Sequence, residues 1–185
     1  MKMYSKVLVM SLVIVLSLSL YADYRPASTE QVAQATMSAC GLAKNIQKLE
    51  SVDIYVLGNE EIARELKKYE GCMVGDVVIK SIKSGNKLPR VKPSILVCGS
   101  DEYVYMVKYY CRNNNILSIG ASPELCQEGL SLSLYRDNND NDAASLSNVR
   151  FLLNSEASYQ EKVNWNRSIS SISDKVSAYA SFTWK

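Results

Sequence analysis

Ser94 to Leu125 reads SILVCGSDEYVYMVKYYCRNNNILSIGASPEL. Ile95 to Cys98 is a short apolar run with no polar face, the pattern of a strand buried on both sides. Gly99 follows, then Ser100 as a cap and Asp101-Glu102 as carboxylates in a first helical turn. Tyr103, Val104, Met106, Val107, Tyr110 and Cys111 then form an apolar stripe at helical spacing. Asn113 to Asn115 ends the helix, and Ile116 to Ile119 begins a second buried strand. A strand–helix–strand unit of this length predicts a right-handed parallel crossover.

The same turn chemistry recurs. Gly58-Asn59-Glu60-Glu61 follows Val56-Leu57, and Gly120-Ala121-Ser122-Pro123-Glu124 follows Ile119. Each joins a glycine, a capping side chain and an acid, and Pro123 suits a first helical position. Three such turns predict one edge of one parallel sheet, the edge where open sheets bind ligands. Acidic turns disfavour phosphate, and no dinucleotide or P-loop glycine motif is present.

Working outward, Ser28 to Gln31 predicts a capped helix start, with the helix running to about Leu49. Val52–Leu57 is the first strand, Glu60–Tyr69 an amphipathic helix and Asp76–Ile82 another strand. Gly129–Arg136 alternates Leu130, Leu132 and Leu134 with Ser131, Ser133 and Tyr135. That predicts a half-buried antiparallel strand. Asn148–Leu153 returns as its hairpin partner across the polar loop Asp137–Asp142. Ser155–Val163 and Ser168–Ala180 read as helices. The expected fold class is α/β: a single three-layer domain, a mixed and mostly parallel sheet with helices on both faces, and a C-terminal antiparallel hairpin.

Lys2 and Lys6 precede the apolar run Val7–Leu20, and Leu20-Tyr21-Ala22 suits cleavage. Residues 1–22 are thus an expected signal peptide, and 23–185 the folded domain. The run is short for a membrane span; the alternative to cleavage is an uncleaved anchor, and after cleavage no direct membrane insertion is expected. The chain holds 21 basic and 19 acidic residues. Without Lys2 and Lys6 the charges balance, so no basic patch for nucleic acid or anionic lipid is expected.

The 185 residues include no histidine, which removes Ser-His and Cys-His catalysis and imidazole metal ligands. Glu60/Glu61 and Asp101/Glu102 read as partners of helix dipoles rather than catalytic pairs. Asp137, Asn139 and Asn141 match the start of a calcium loop. Asp142 stands where glycine is needed, and Asn148 where the bidentate glutamate belongs. No catalytic, cofactor or metal residue is therefore assigned.

Five cysteines lie at 40, 72, 98, 111 and 126. An exported chain permits disulfides, and the candidate pair is Cys72 with Cys111, each near a helix end. Of twelve tyrosines, Tyr103, Tyr105, Tyr109 and Tyr110 crowd one helix. One stripe cannot bury all four, so Tyr103, Tyr105 and Tyr109 are candidate interface residues, with Trp165. Trp184 is a further candidate contact.

The order of these elements resembles the YfiR-like family of periplasmic regulators. The resemblance spans about Gln31 to Ala180. It rests on Val56-Leu57-Gly58, Ile116 to Gly120, Gly129 at the hairpin's start and Val149 to Asn154 at its return. It implies a periplasmic, non-enzymatic regulator that binds and restrains an inner-membrane signalling protein, a diguanylate cyclase or a sensor kinase, and forms a homodimer. The alternative is a periplasmic solute-binding protein for a small ligand. That reading predicts an enclosed pocket at the turns after Leu57, Cys98 and Ile119, and a small, filled edge there argues against it.

Overall fold

The computed structural model describes residues 26–136 and 149–175. The leader, the loop Asp137–Asp142, Trp184 and the end of the predicted last helix lie outside these.

The sheet consists of β1 (Ser51–Leu57), β2 (Met73–Val74), β3 (Val77–Gly85), β4 (Ile95–Cys98), β5 (Leu117–Gly120), β6 (Leu132–Arg136), β7 (Val149–Leu153) and β8 (Ser173–Lys175). Its spatial order is β2-β3-β1-β4-β5-β6-β7-β8. β3, β1, β4, β5 and β6 run parallel, β2 and β7 pair antiparallel with their neighbours, and β8 is parallel to β7. Every residue of β4 and β5 is buried, as the unbroken apolar run of β4 requires, and β5 takes Ser118 inside with Leu117 and Ile119.

Helices cover both faces. α1 (Thr29–Leu42) and α2 (Glu60–Lys67) bury Val32, Met37, Cys40, Ile62 and Leu66 against Ile54, Ile79, Val97 and Ile119. On the other face, α3 (Val104–Asn114) and α4 (Pro123–Gln127) lay Val104, Val107, Cys111 and Leu125 on Leu57, Leu96 and Cys98. Three layers enclose two unlike cores, because alternate residues of each strand face opposite ways.

Three elements depart from expectation. α1 stops at Leu42, not near Leu49. Ala43 leaves the helix to pair with Trp165, and Lys44 and Leu42 exchange backbone hydrogen bonds with Asn164 and Asn166. The chain after β7 folds as α5 (Ser155–Gln160) and α6 (Ile169–Ile172), and α6 gives way at once to β8. The free edge of β7 captures Ser173 to Lys175 as a strand, overriding the helical periodicity. β6 is not half-buried: Leu132 to Tyr135 are all buried, because β5 and β7 flank it and α4 packs beside it.

Candidate functional site

β1 is followed by α2 and then β3, on one side. β4 lies on β1's other side and leads to α3 on the opposite face. The strand order therefore reverses between β1 and β4, the position where open α/β sheets leave a crevice at their carboxyl ends. A cleft of about 460 Å³ opens there. Asn59, Gly99, Ser100, Asp101, Ala121, Ser122, Glu124 and Leu125 line it from the three predicted turns. Pro26, Ala27, Thr29 and Val32 close one side from the start of α1.

The three turns are built differently. Asn59 caps α2, its Oδ1 accepting from the backbone N–H groups of Glu61 and Ile62 at 3.1 and 3.0 Å. Ser100 and Ser122, expected as caps, make no capping hydrogen bond. Asp101 Oδ1 accepts from the N–H of Glu102 instead, at 3.0 Å. Both serines line the cleft alongside Asp101 and Glu124. This wall suits a neutral or cationic polar guest better than an anion.

A second polar group lies at the opposite ends of the strands and is closed to solvent. Glu161, which ends α5, is fully buried. Its carboxylate accepts from the Ser118 N–H at 2.9 Å, and from the hydroxyls of Ser118 and Ser131. The Ser131 N–H donates to Ser118 Oγ at 2.9 Å, joining β5 and the start of β6 to one carboxylate. Burial pushes the Glu161 carboxyl up to about 7, against the opposing pull of those donors and of Arg112. This group carries structure, because no substrate reaches it.

The predicted interface residues separate. Tyr105 and Tyr109 are 67% and 63% exposed, and Met106 beside them is 44% exposed. Tyr103 instead rests on Gly58 within the second core. Trp165 is half-buried against the first core, and its Nε1 donates to Ser158 Oγ at 3.0 Å. A helical wheel centred on Val104, Val107 and Cys111 would have separated Tyr105 and Tyr109 from Tyr103.

The candidate disulfide is not made: all five cysteines are free thiols. Cys72 is exposed in the turn after α2, whereas Cys111 is buried under α3. Burial pushes Cys40 up to about 12 and Cys98 up to about 11, and raises Cys111 and Cys126 as well. Native protein is therefore expected to give one alkylated thiol, at Cys72, by intact-mass measurement with a polar maleimide. Rapid labelling of Cys40 or Cys111 would contradict the packing. Among the described residues, no helix is long and apolar enough to cross a membrane.

No protein-family model matches the sequence. No curated protein matches it either. Among solved structures, the chain is similar to a conserved domain protein from Vibrio cholerae O1 biovar El Tor, with a TM-score of 0.53 at 14% identity. The match covers 78% of this chain and 59% of that one. At that identity the likeness shows a shared fold and nothing of activity.

Proposed function

We propose that this chain is a binding protein rather than a catalyst: an exported, periplasmic regulator of the YfiR-like kind that restrains an inner-membrane signalling protein. The observation carrying the reading is the outer face of α3. Tyr105, Met106 and Tyr109 stand exposed together on a helix whose other side is fixed in the core. Exposed tyrosine and methionine on a rigid element are the residue types that anchor protein interfaces. The absence of histidine from the sequence limits acid–base catalysis at neutral pH. The same face serves the proposed homodimer or the membrane partner, and cannot serve both at once.

The test is capture from detergent-solubilised membranes of the source cells. The wild-type protein is expected to retain an inner-membrane signalling protein identified by mass spectrometry. The Tyr105→Ala/Tyr109→Ala variant should lose it by about tenfold or more while melting like wild type, since exposed side chains add little stability. Equal capture by both proteins would remove α3 from the interface, and retention of no signalling protein by wild type would overturn the reading.

A second reading, a small-ligand binding protein, is favoured by the cleft between β1 and β4. It expects a small polar amine or polyol to raise the melting temperature, and Ser100→Trp, which fills the cleft, to abolish that rise.

A further inference from the structure

Between Val77 and Ser100 the chain carries Lys80, Lys83, Lys87, Arg90 and Lys92 and no acid. The overall charge balance hides this run: Lys80 and Lys83 stand on β3, and Lys87, Arg90 and Lys92 on the loop that crosses from β3 over β1 to β4. All five side chains are exposed, and none is ion-paired among the described residues. Asp53 and Glu60 approach β3 but are held by Ser81 and Ser84.

β3 is also an unfinished sheet edge. β2 pairs only with Val77 and Val78. The turn before it adds two bonds, from Gly71 N–H to the Ile79 carbonyl and from Ile79 N–H to the Cys72 carbonyl. From Lys80 to Gly85, β3 has β1 on one side and no strand on the other among the described residues. Such an edge presents unpaired N–H and C=O groups in strand spacing.

The loop beyond is held in place. The Tyr55 hydroxyl donates to the Lys87 carbonyl at 2.9 Å, and the Tyr110 hydroxyl to the Pro89 carbonyl at 3.2 Å. Leu88 packs into the second core. Lys87, Arg90 and Lys92 are thus presented from an ordered backbone, which lowers the entropy lost on binding.

We propose that the open edge of β3 and the basic loop after it take an extended acidic peptide segment as an added β-strand. Strand addition uses backbone hydrogen bonds for affinity and side chains for selectivity. A second copy of this chain is a poor occupant, because pairing β3 with β3 brings Lys80 and Lys83 of both copies together. Nucleic acid and anionic lipid would use the charges but leave the strand edge unpaired. This goes beyond the regulator reading, since it requires no membrane partner.

The test titrates the purified full chain with a fluorescent peptide of alternating glutamate and valine. A second peptide of the same sequence is N-methylated at every other residue, which keeps the charge and blocks one strand edge. The plain peptide is expected to bind, and the methylated one about tenfold or more weaker. Lys83→Glu/Lys87→Glu/Arg90→Glu should weaken the plain peptide by a similar factor, and salt should weaken it further. Equal affinity for both peptides would overturn strand addition, as would tighter binding to duplex DNA or phosphatidylglycerol vesicles. Should the charge-reversed variant fold poorly, the methylated peptide alone decides. Failure here leaves capture by the α3 face untouched.

Discussion

Replacing Glu161 with alanine is expected to cost about 3 kcal/mol or more of stability, because it strands buried donors and leaves a cavity. Three donors, the Ser118 N–H and the hydroxyls of Ser118 and Ser131, lose their acceptor in a region closed to water. Glu161→Gln is a different experiment, since the amide keeps the volume and an acceptor and the serine hydroxyls can rotate. Burial is the largest influence on the Glu161 carboxyl and lifts it from the ordinary 4.5 to about 7. The folded protein therefore holds this proton more tightly than the unfolded chain does. Its stabilising contribution is complete below pH 4.5, falls as pH rises towards about 7 and levels off above. A shift of this size corresponds to roughly 3 kcal/mol across the window. Arg112 is the charged group that opposes the shift, while Cys111 and Cys126 face the carboxylate as neutral thiols. The Gln variant should show a flatter profile and overtake wild type above neutrality. Denaturant unfolding of both proteins from about pH 4 to about pH 9 checks this. Parallel profiles would show that Glu161 titrates normally and is not the buried group described.

That network was only partly legible in the sequence. Ser131 and Ser133 alternate with leucines, and alternation reads as one dry face and one wet face. In the fold β5 and β7 flank β6 and α4 packs beside it, so both serines are buried. A face of serines with no charged residue carries a trace of that burial. Glu161 carried none: it sits among Glu156, Gln160 and Lys162, and spacing cannot say which acid turns inward. The basic run was missed for another reason. Net charge sums the whole chain, whereas these cations all fall on one strand near the sheet edge and on the loop that follows it.

The parallel core was legible because its signals are local and repeated. Ile95 to Cys98 and Leu117 to Ile119 are strands, and the turns after Leu57, Cys98 and Ile119 share one edge. The end of α1 was not, because Trp165 lies far along the chain from the Ala43 it meets. The α3 tyrosines fall between these cases. Their crowding was visible, but separating Tyr105 and Tyr109 from Tyr103 needed the direction of the core.

Gly58→Ala is expected to destabilise the protein by roughly 2–4 kcal/mol, a drop in Tm of about 5–10 °C for a domain of this size. Gly58 has φ +79, which a Cβ penalises by about 1–2 kcal/mol. The rest is steric: an added Cβ would lie 2.5 and 2.7 Å from two ring carbons of Tyr103. That ring packs with Tyr55, Leu88 and Tyr110 on the second core, so it cannot swing away freely. The turn is also anchored, since the Gly58 N–H donates to the Gly85 carbonyl at 3.0 Å. A double-mutant cycle with Tyr103→Ala separates the two parts. With the ring removed, Gly58→Ala should cost only the backbone share, leaving a coupling of about 1–2 kcal/mol. Simple additivity would mean that the ring is not the obstacle. The consequence reaches the cleft, because the next residue, Asn59, both caps α2 and lines it. A ligand bound there should therefore weaken in Gly58→Ala and recover in part in the double variant, whereas the α3 face, anchored separately by Val107 and Cys111, should keep its binding in both.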